Sequence, residues 1–256
     1  ADDISGGKRT GFTFAPEAGS QRLRDIINKG VEEADVLDTA EAAIRGKWEN
    51  LKFYFMIGLP YETDEDVAAI YDLATKVLKR CLPISKRINV TVSVSNFVPK
   101  PHTPFQWAEQ MDMEEMKRKH KILRDLFKGS KHCTLRIHDS KKSYLEGLLS
   151  RGDERTGDLI QRAFEMGAKL DDYRDNYDIW IGAAQDLGIE EKTYLGAREL
   201  DQELPWDMVD IGVDKNFLLR ENEKAREGAL TPDCRKQCSG CGMKKRFPNC
   251  LKIAEN

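Results

Sequence analysis

The residues of this 256-residue chain best placed for chemistry are four cysteines near its end, Cys234, Cys238, Cys241 and Cys250. The first three have C-x3-C-x2-C spacing. Three thiolates in one short loop can each take a corner of a 4Fe–4S cluster and leave the fourth iron open. With Cys250 as a fourth thiolate, the same set can close a tetrahedral zinc site or hold an auxiliary iron–sulfur cluster. A third reading leaves them as metal-free thiols. Lys244, Lys245 and Arg246 lie beside the set and can offset thiolate charge, or form no more than a solvated basic turn. Cys81 and Cys133 stand alone. Clustering of this kind, in a chain of this length, argues for metal rather than a disulfide scaffold.

Other side chains offer less. His102 sits in the Pro-rich stretch PKPHTPF, and an imidazole titrates near neutrality, as a general base requires. A lone histidine in a stiff loop fits a surface or packing role equally well. His138 and Asp139 are neighbours on a strand and point to opposite faces, so they read as a strand end and a helix cap, not a relay. His120 and His132 read as solvent-facing. Trp206, Asp207, Asp210 and Lys215 can present a substrate or partner surface near the cysteines; the alternative is packing by Trp206, with Asp210 or Asp214 at a helix start. No residue is singled out as catalytic.

The elements that must position these groups begin with three strand–turn–helix segments: FTFAPEAGSQRLRDIINKG (12–30), LKFYFMIGLPYETDEDV (51–67) and INVTVSVSNFVPKPHTPFQW (88–107). Such units place turn amides and a few side chains at the C-terminal rim of a parallel sheet, where α/β proteins bind ligands. Gly19 eases the first turn and Ser20 fits a helix N-cap; Gly58 permits close backbone approach in the second. Strands are expected at 11–15, 51–58, 88–97 and 133–138, and the nearly continuous apolar run at 51–58 predicts a strand buried on both faces. Helices are expected at 33–45, from Thr63 to about Arg80, and at 112–128. Beyond Ser140 the pattern turns helical, at 141–150, 154–167 and 175–187, with one more helix at 214–227 in an otherwise irregular 188–232. The division is 1–139 for βα units, 140–230 for a helical region and 231–256 for a cysteine-rich tail. Three or four parallel strands leave unpaired edges, which predicts self-association, missing strands from another chain, or capping by the C-terminal region.

Composition narrows the function classes. A formal charge of -3, with interspersed charges making up 33% of residues, gives no general attraction to nucleic acid. No apolar run approaches the roughly 20 residues needed to span a bilayer. ADDISGGKRT lacks a signal-peptide pattern, so a cytoplasmic location is expected.

The strings PEAGSQRLRDIINKG and MIGLPYETDEDV, with VSNFVPKPHTPFQW, LPWDMVDIGVDKNFLLRE (204–221) and TPDCRKQCSGCG (231–242), resemble the C-terminal half of a radical S-adenosylmethionine (SAM) iron–sulfur oxidoreductase of the type joined to a cobalamin domain. The resemblance covers nearly the whole chain. It implies an α/β fold, half of a TIM-type radical SAM barrel followed by a mostly helical C-terminal region. It implies that Glu17, Gly19 and Ser20 meet the ribose and amino-acid part of SAM, that Ile57 lies against an adenine face in a cofactor-binding turn with Gly58 and Pro60, and that the loop of Val98 and Pro99 binds adenine through its backbone. It implies a 4Fe–4S cluster and SAM as cofactors, and a 5′-deoxyadenosyl radical abstracting hydrogen from a substrate. The family's C-x3-C-x2-C loop follows the first barrel strand, and nothing upstream of Thr10 supplies it here. The triplet here follows the last strand instead, and Gly240 stands before its third cysteine, where the family has an aromatic. This chain is therefore expected to be inactive alone and to pair with the missing N-terminal half through its sheet edge. The competing class is a non-catalytic scaffold or interaction module whose cysteines hold a structural zinc.

Overall fold

Alternating burial along the strands sets the architecture. In β2 (Asn50–Ile57), Leu51, Phe53, Phe55 and Ile57 are buried, whereas Lys52, Tyr54 and Met56 are only half-buried. A strand repeats every two residues, so this sheet buries one face and leaves the other open to polar groups. The computed structural model of the chain describes residues 11–169, 176–247 and 250. The segment 1–10, the helix start expected at 175, and tail positions 248, 249 and 251–256 lie outside the described residues.

The chain divides into two units. The first comprises residues up to Phe97 together with Glu114–His138. It contains β1 (Phe12–Glu17), α1 (Gln21–Ile26), α2 (Glu33–Arg45), β2, α3 (Asp64–Cys81), β3 (Asn89–Asn96), α4 (Met113–Phe127) and β4 (Cys133–Ile137). The four strands pair in sequence order, all parallel. Each helix carries one apolar stripe: Val36, Ala40, Ala43 and Ile44 on α2; Val67, Ile70, Leu73 and Val77 on α3; Met116 and Leu123 on α4. These stripes join Phe53, Phe55, Val92 and Val94 in the core. The α3 helix starts where its sequence dictates: the Thr63 side chain accepts from the backbone at Asp66, and Asp66 accepts from Thr63 N at 2.8 Å.

The sequence reading holds for the α/β class, the parallel sheet and most elements. One expectation is corrected: β2 is not buried on both faces, because its apolar run mixes core residues with Lys52 and Tyr54 at alternate positions. Among the described residues the sheet is not closed into a barrel, since β1 and β4 stand at its two ends. No described helix is long and apolar enough to cross a membrane.

The second unit comprises Val98–Met113 and the chain from Asp139 onward. Here α5 (Ser140–Ser150), α6 (Arg155–Glu165), α7 (Tyr177–Asp186) and α8 (Glu191–Leu195) enclose a core of Leu145, Leu148, Leu159, Trp180 and Tyr194. Gly147 on α5 is required by close packing: a Cβ there would lie 1.8 Å from Gln110 Oε1. α9 (Lys215–Glu227) belongs to a smaller cluster with Trp107, Leu204, Trp206 and Leu218. Asp139 caps α5 and Asp214 caps α9, each accepting a backbone N–H from the first turn, as expected of acids at helix starts.

Candidate functional site

The rim turn after β1 is built by a register shift between Phe14 and Glu17, which leaves Glu17 at a φ of 67°. Its carboxylate meets Lys29 Nζ at 3.4 Å and stays 28% exposed. Gly19 is needed for helix approach: a Cβ there would sit 2.3 Å from the Ile70 amide nitrogen of α3. Ser20 is the N-cap of α1, accepting from Leu23 N at 3.1 Å, and it donates to Asp66 Oδ1 at 2.5 Å. Asp66 also pairs with Arg22. Burial pushes the Asp66 carboxyl up, but bonds from Arg22, Ser20 and Thr63 outweigh it and hold the group below its ordinary range. Arg24, fully buried, donates to the carbonyls of Ala18, Gly19 and Val31. Sequence reading missed Arg24, because nothing in a helix-face arginine announces that it will turn back onto its own cap.

The rim turn after β2 has Gly58 at a φ of 80°, with its N–H donated to Glu62 Oε1 at 2.8 Å. The same carboxylate oxygen accepts from Lys119 Nζ at 2.7 Å; the two side chains are 1% and 8% exposed. Burial pushes the Glu62 carboxyl up against the opposing pull of Lys119 and the Gly58 amide. Ile57 is buried and Pro60 half-buried. Arg22 Nη2 donates to Tyr61 O at 2.8 Å and so ties the two rim turns together. At the end of β3, Asn96 Oδ1 bonds His120 Nε2 at 2.8 Å in the interior. His120 is thus 4% exposed rather than solvent-facing, because its helical position turns inward toward a polar strand end.

The second face of the sheet is polar and partly open. It carries Thr13 on β1, Lys52 and Tyr54 on β2, Thr91, Ser93 and Ser95 on β3, and Thr134 and Arg136 on β4, which the parallel register aligns. Lys52 Nζ donates to Tyr54 Oη at 2.5 Å, and Ser93 Oγ lies 3.4 Å from His138 Nε2.

In the second unit, Val98 and Pro99 are buried. The Pro-rich loop is fixed by Thr103 Oγ1 donating to Lys100 O at 2.8 Å and Asn222 Nδ2 donating to Pro104 O at 2.7 Å. His102 takes a φ of 56°. Trp206 is packed, and its Nε1 donates to Gln106 Oε1 at 2.6 Å.

The cysteine loop is anchored at one end. Asp214 N donates to Cys241 O at 2.8 Å and Arg220 Nη2 to Gly240 O at 3.2 Å. Gly240 and Gly242 flank Cys241 at φ values of 72° and 97°. Cys234 and Cys238 are exposed, Cys241 and Cys250 intermediate. Among the described residues no three histidine, cysteine or acidic side chains converge on a metal position. The donor chemistry of four cysteines fits a thiophilic metal; the arrangement of their side chains does not form its coordination shell. Arg246 pairs with Asp210, and Lys245 lies 3.9 Å from Asp214, so two of the three basic neighbours face carboxylates. Burial pushes the Cys133 thiol up to about 11 and raises that of Cys81, which suits packing roles.

The chain is similar to an uncharacterised protein of Methanocaldococcus jannaschii, 34% identical over 210 residues that make up 81% of this chain and 40% of that protein. It therefore spans less than half of that relative's length. No protein-family profile matches the chain, and no solved structure matches it.

Proposed function

We propose that this chain is part of a radical SAM iron–sulfur enzyme, to which it contributes half of a barrel and a C-terminal metal site. The observation that carries the reading is the two-faced parallel sheet. Parallel sheets with helices on both sides are apolar on both faces. This one buries its apolar face beneath its helices, and its other face is mostly polar, carrying Lys52, Tyr54, Ser93 and Arg136 beside Met56. A polar face on such strands suits a ligand-bearing barrel lumen better than a second helix layer.

Among the residues the resemblance assigns to SAM, Glu17 keeps an accessible carboxylate at the C-terminal end of β1 and would hold the ammonium of SAM. Gly19, Ser20 and Ile57 support that position through packing and capping. Gly58 and Pro60 shape the neighbouring turn, and Val98 and Pro99 continue the chain beyond the third strand. Cys234, Cys238 and Cys241, with Cys250, would hold an iron–sulfur cluster or zinc. A SAM-binding cluster, when present, supplies the single-electron reduction from which radical chemistry starts. The substrate is one from which a hydrogen atom is removed.

A second reading, a non-catalytic module with structural zinc, draws on the anchoring of Cys241 to the start of α9, which a closed zinc site would reinforce.

The test is anaerobic reconstitution of the chain with iron and sulfide, followed by metal and sulfide quantification and SAM binding by equilibrium dialysis. The enzyme reading expects an iron–sulfur cluster and SAM binding that weakens about tenfold in Glu17→Gln, the loss of one charge-assisted contact. One tightly held zinc with no SAM binding overturns it in favour of the module.

A further inference from the structure

A cavity of about 250 Å³ is lined by residues of the second unit alone. Its polar wall brings together residues that are distant in sequence: His102 and Gln106 from the Pro-rich loop, Asp207 from the irregular segment, and Lys215 from the first turn of α9. Val209, Ile211 and Val213 supply the apolar wall.

The bonding around this cavity leaves a defined set of atoms in search of partners. Asp207 Oδ2 accepts from Leu204 N at 2.9 Å and from Lys215 Nζ at 2.6 Å, while Oδ1 has no partner among the described residues. Lys215 Nζ also donates to Gln202 O at 3.2 Å, leaving one of its three N–H groups. Gln106 is 1% exposed; its Oε1 accepts from His102 N and Trp206 Nε1, so the amide is oriented with Nε2 still able to donate. The His102 imidazole has no hydrogen-bond partner among the described residues, although its backbone is fixed. Burial pushes the Asp207 carboxyl up, but Lys215 and the Leu204 amide outweigh that, with the nearby His102 adding to the effect, and keep it ionised.

These leftovers comprise an anionic acceptor and an imidazole that can accept, beside a cationic donor and an amide N–H that can donate. Charge decides among ligand classes. One ammonium stands in a wall that also contains Asp207 and Asp210, so the cavity has no excess positive charge to hold a phosphate. A simple amine would gain nothing from the Lys215 and Gln106 donors, and a simple carboxylate nothing from Asp207. A molecule carrying both charges meets all of them. The volume lies below the roughly 300–1,000 Å³ typical of drug-sized ligands, which limits the occupant to amino-acid dimensions.

We propose that this cavity binds a small zwitterion, an α-amino acid with a branched apolar side chain. Its ammonium faces Asp207 and His102, its carboxylate faces Lys215 and Gln106, and its side chain lies on Val209, Ile211 and Val213. This site does not depend on the SAM reading of the strand rims.

The experiment is calorimetric titration of the full chain with L-leucine, beside isopentylamine and isocaproate, each of which lacks one ionic end of leucine. Leucine is expected to bind, with each half-molecule weaker by about tenfold or more. Asp207→Asn retains the acceptor for Leu204 and is expected to abolish the preference of leucine over isocaproate. Val209→Trp, at a position 54% exposed and so tolerant of size, is expected to fill the cavity and remove binding without changing the unfolding midpoint. The proposal fails if leucine does not bind at concentrations up to about 10 mM, if isocaproate matches leucine on the unmodified chain, or if Val209→Trp leaves leucine affinity unchanged.

Discussion

Replacing Lys119 with Met tests how the second rim turn is held together. Lys119 Nζ lies 2.7 Å from Glu62 Oε1, and the side chains are 8% and 1% exposed, so water cannot substitute for the lost ammonium. Removing one partner of such a buried pair costs about 3–5 kcal/mol, because the other charge is left uncompensated. Glu62 retains the Gly58 amide as a donor at 2.8 Å, which places the expected loss toward the lower end of that range. The double variant Glu62→Gln/Lys119→Met keeps an acceptor for Gly58 and removes both charges. It should lie within about 2 kcal/mol of the unmodified chain. The pH dependence has a definite sign. Burial already pushes the Glu62 carboxyl up, and loss of Lys119 pushes it further. A carboxyl raised on folding holds its proton more tightly in the folded state, so its stabilising contribution is present below the unfolded value of about 4.3 and lost as pH rises. The penalty of Lys119→Met relative to the unmodified chain should therefore shrink between pH about 7 and about 4. Urea unfolding, with hydrogen exchange of the β2 and β3 amides, measures both. A loss under about 1 kcal/mol at neutral pH, typical of an exposed pair, refutes the reasoning.

Gly19→Ala should cost about 1–3 kcal/mol or more, since its Cβ meets α3 backbone rather than a flexible side chain; thermal unfolding equal to that of the unmodified chain would show that α3 can move away freely. Asp66→Asn should flatten the acid limb of the stability profile. The Asp66 carboxyl is held below its ordinary range, so its contribution is present above about pH 4 and lost as pH falls; an unchanged acid-unfolding curve would remove the Ser20–Asp66–Arg22 network as its cause.

Legibility in the sequence followed the physics of each element. The α3 start at Thr63 was readable because a capping hydroxyl and first-turn acids are local signals, and the structure uses them as such. The run at 51–58 misled because apolar content alone does not report which face a residue occupies. Lys52 and Tyr54 fall on the same face only once the two-residue period is imposed. The helix α8, five residues long, carries too few turns for a visible apolar stripe. Ser20 was readable as a cap, but Asp66, its bonded partner 46 positions away, was not, because no local pattern specifies a long-range hydrogen bond. Asp207, Asp210 and Lys215 are close in sequence and readable as a candidate surface, but His102 and Gln106 join them only through tertiary folding.

The rim motifs gain a sharper meaning from this geometry. In the PEAGS string, Gly19 is fixed by the backbone of α3, Ser20 by the start of α1, and the carbonyls between them by Arg24. Those residue types are demanded by the turn itself, whether or not a ligand is bound. Glu17 differs: its left-handed φ follows from the register shift in β1, and its contact with Lys29 is long and partly exposed. A non-glycine residue held in that region costs of order 1–3 kcal/mol, which the surrounding structure must offset. The string thus separates into a structural part, which keeps the turn, and one carboxylate that the turn presents.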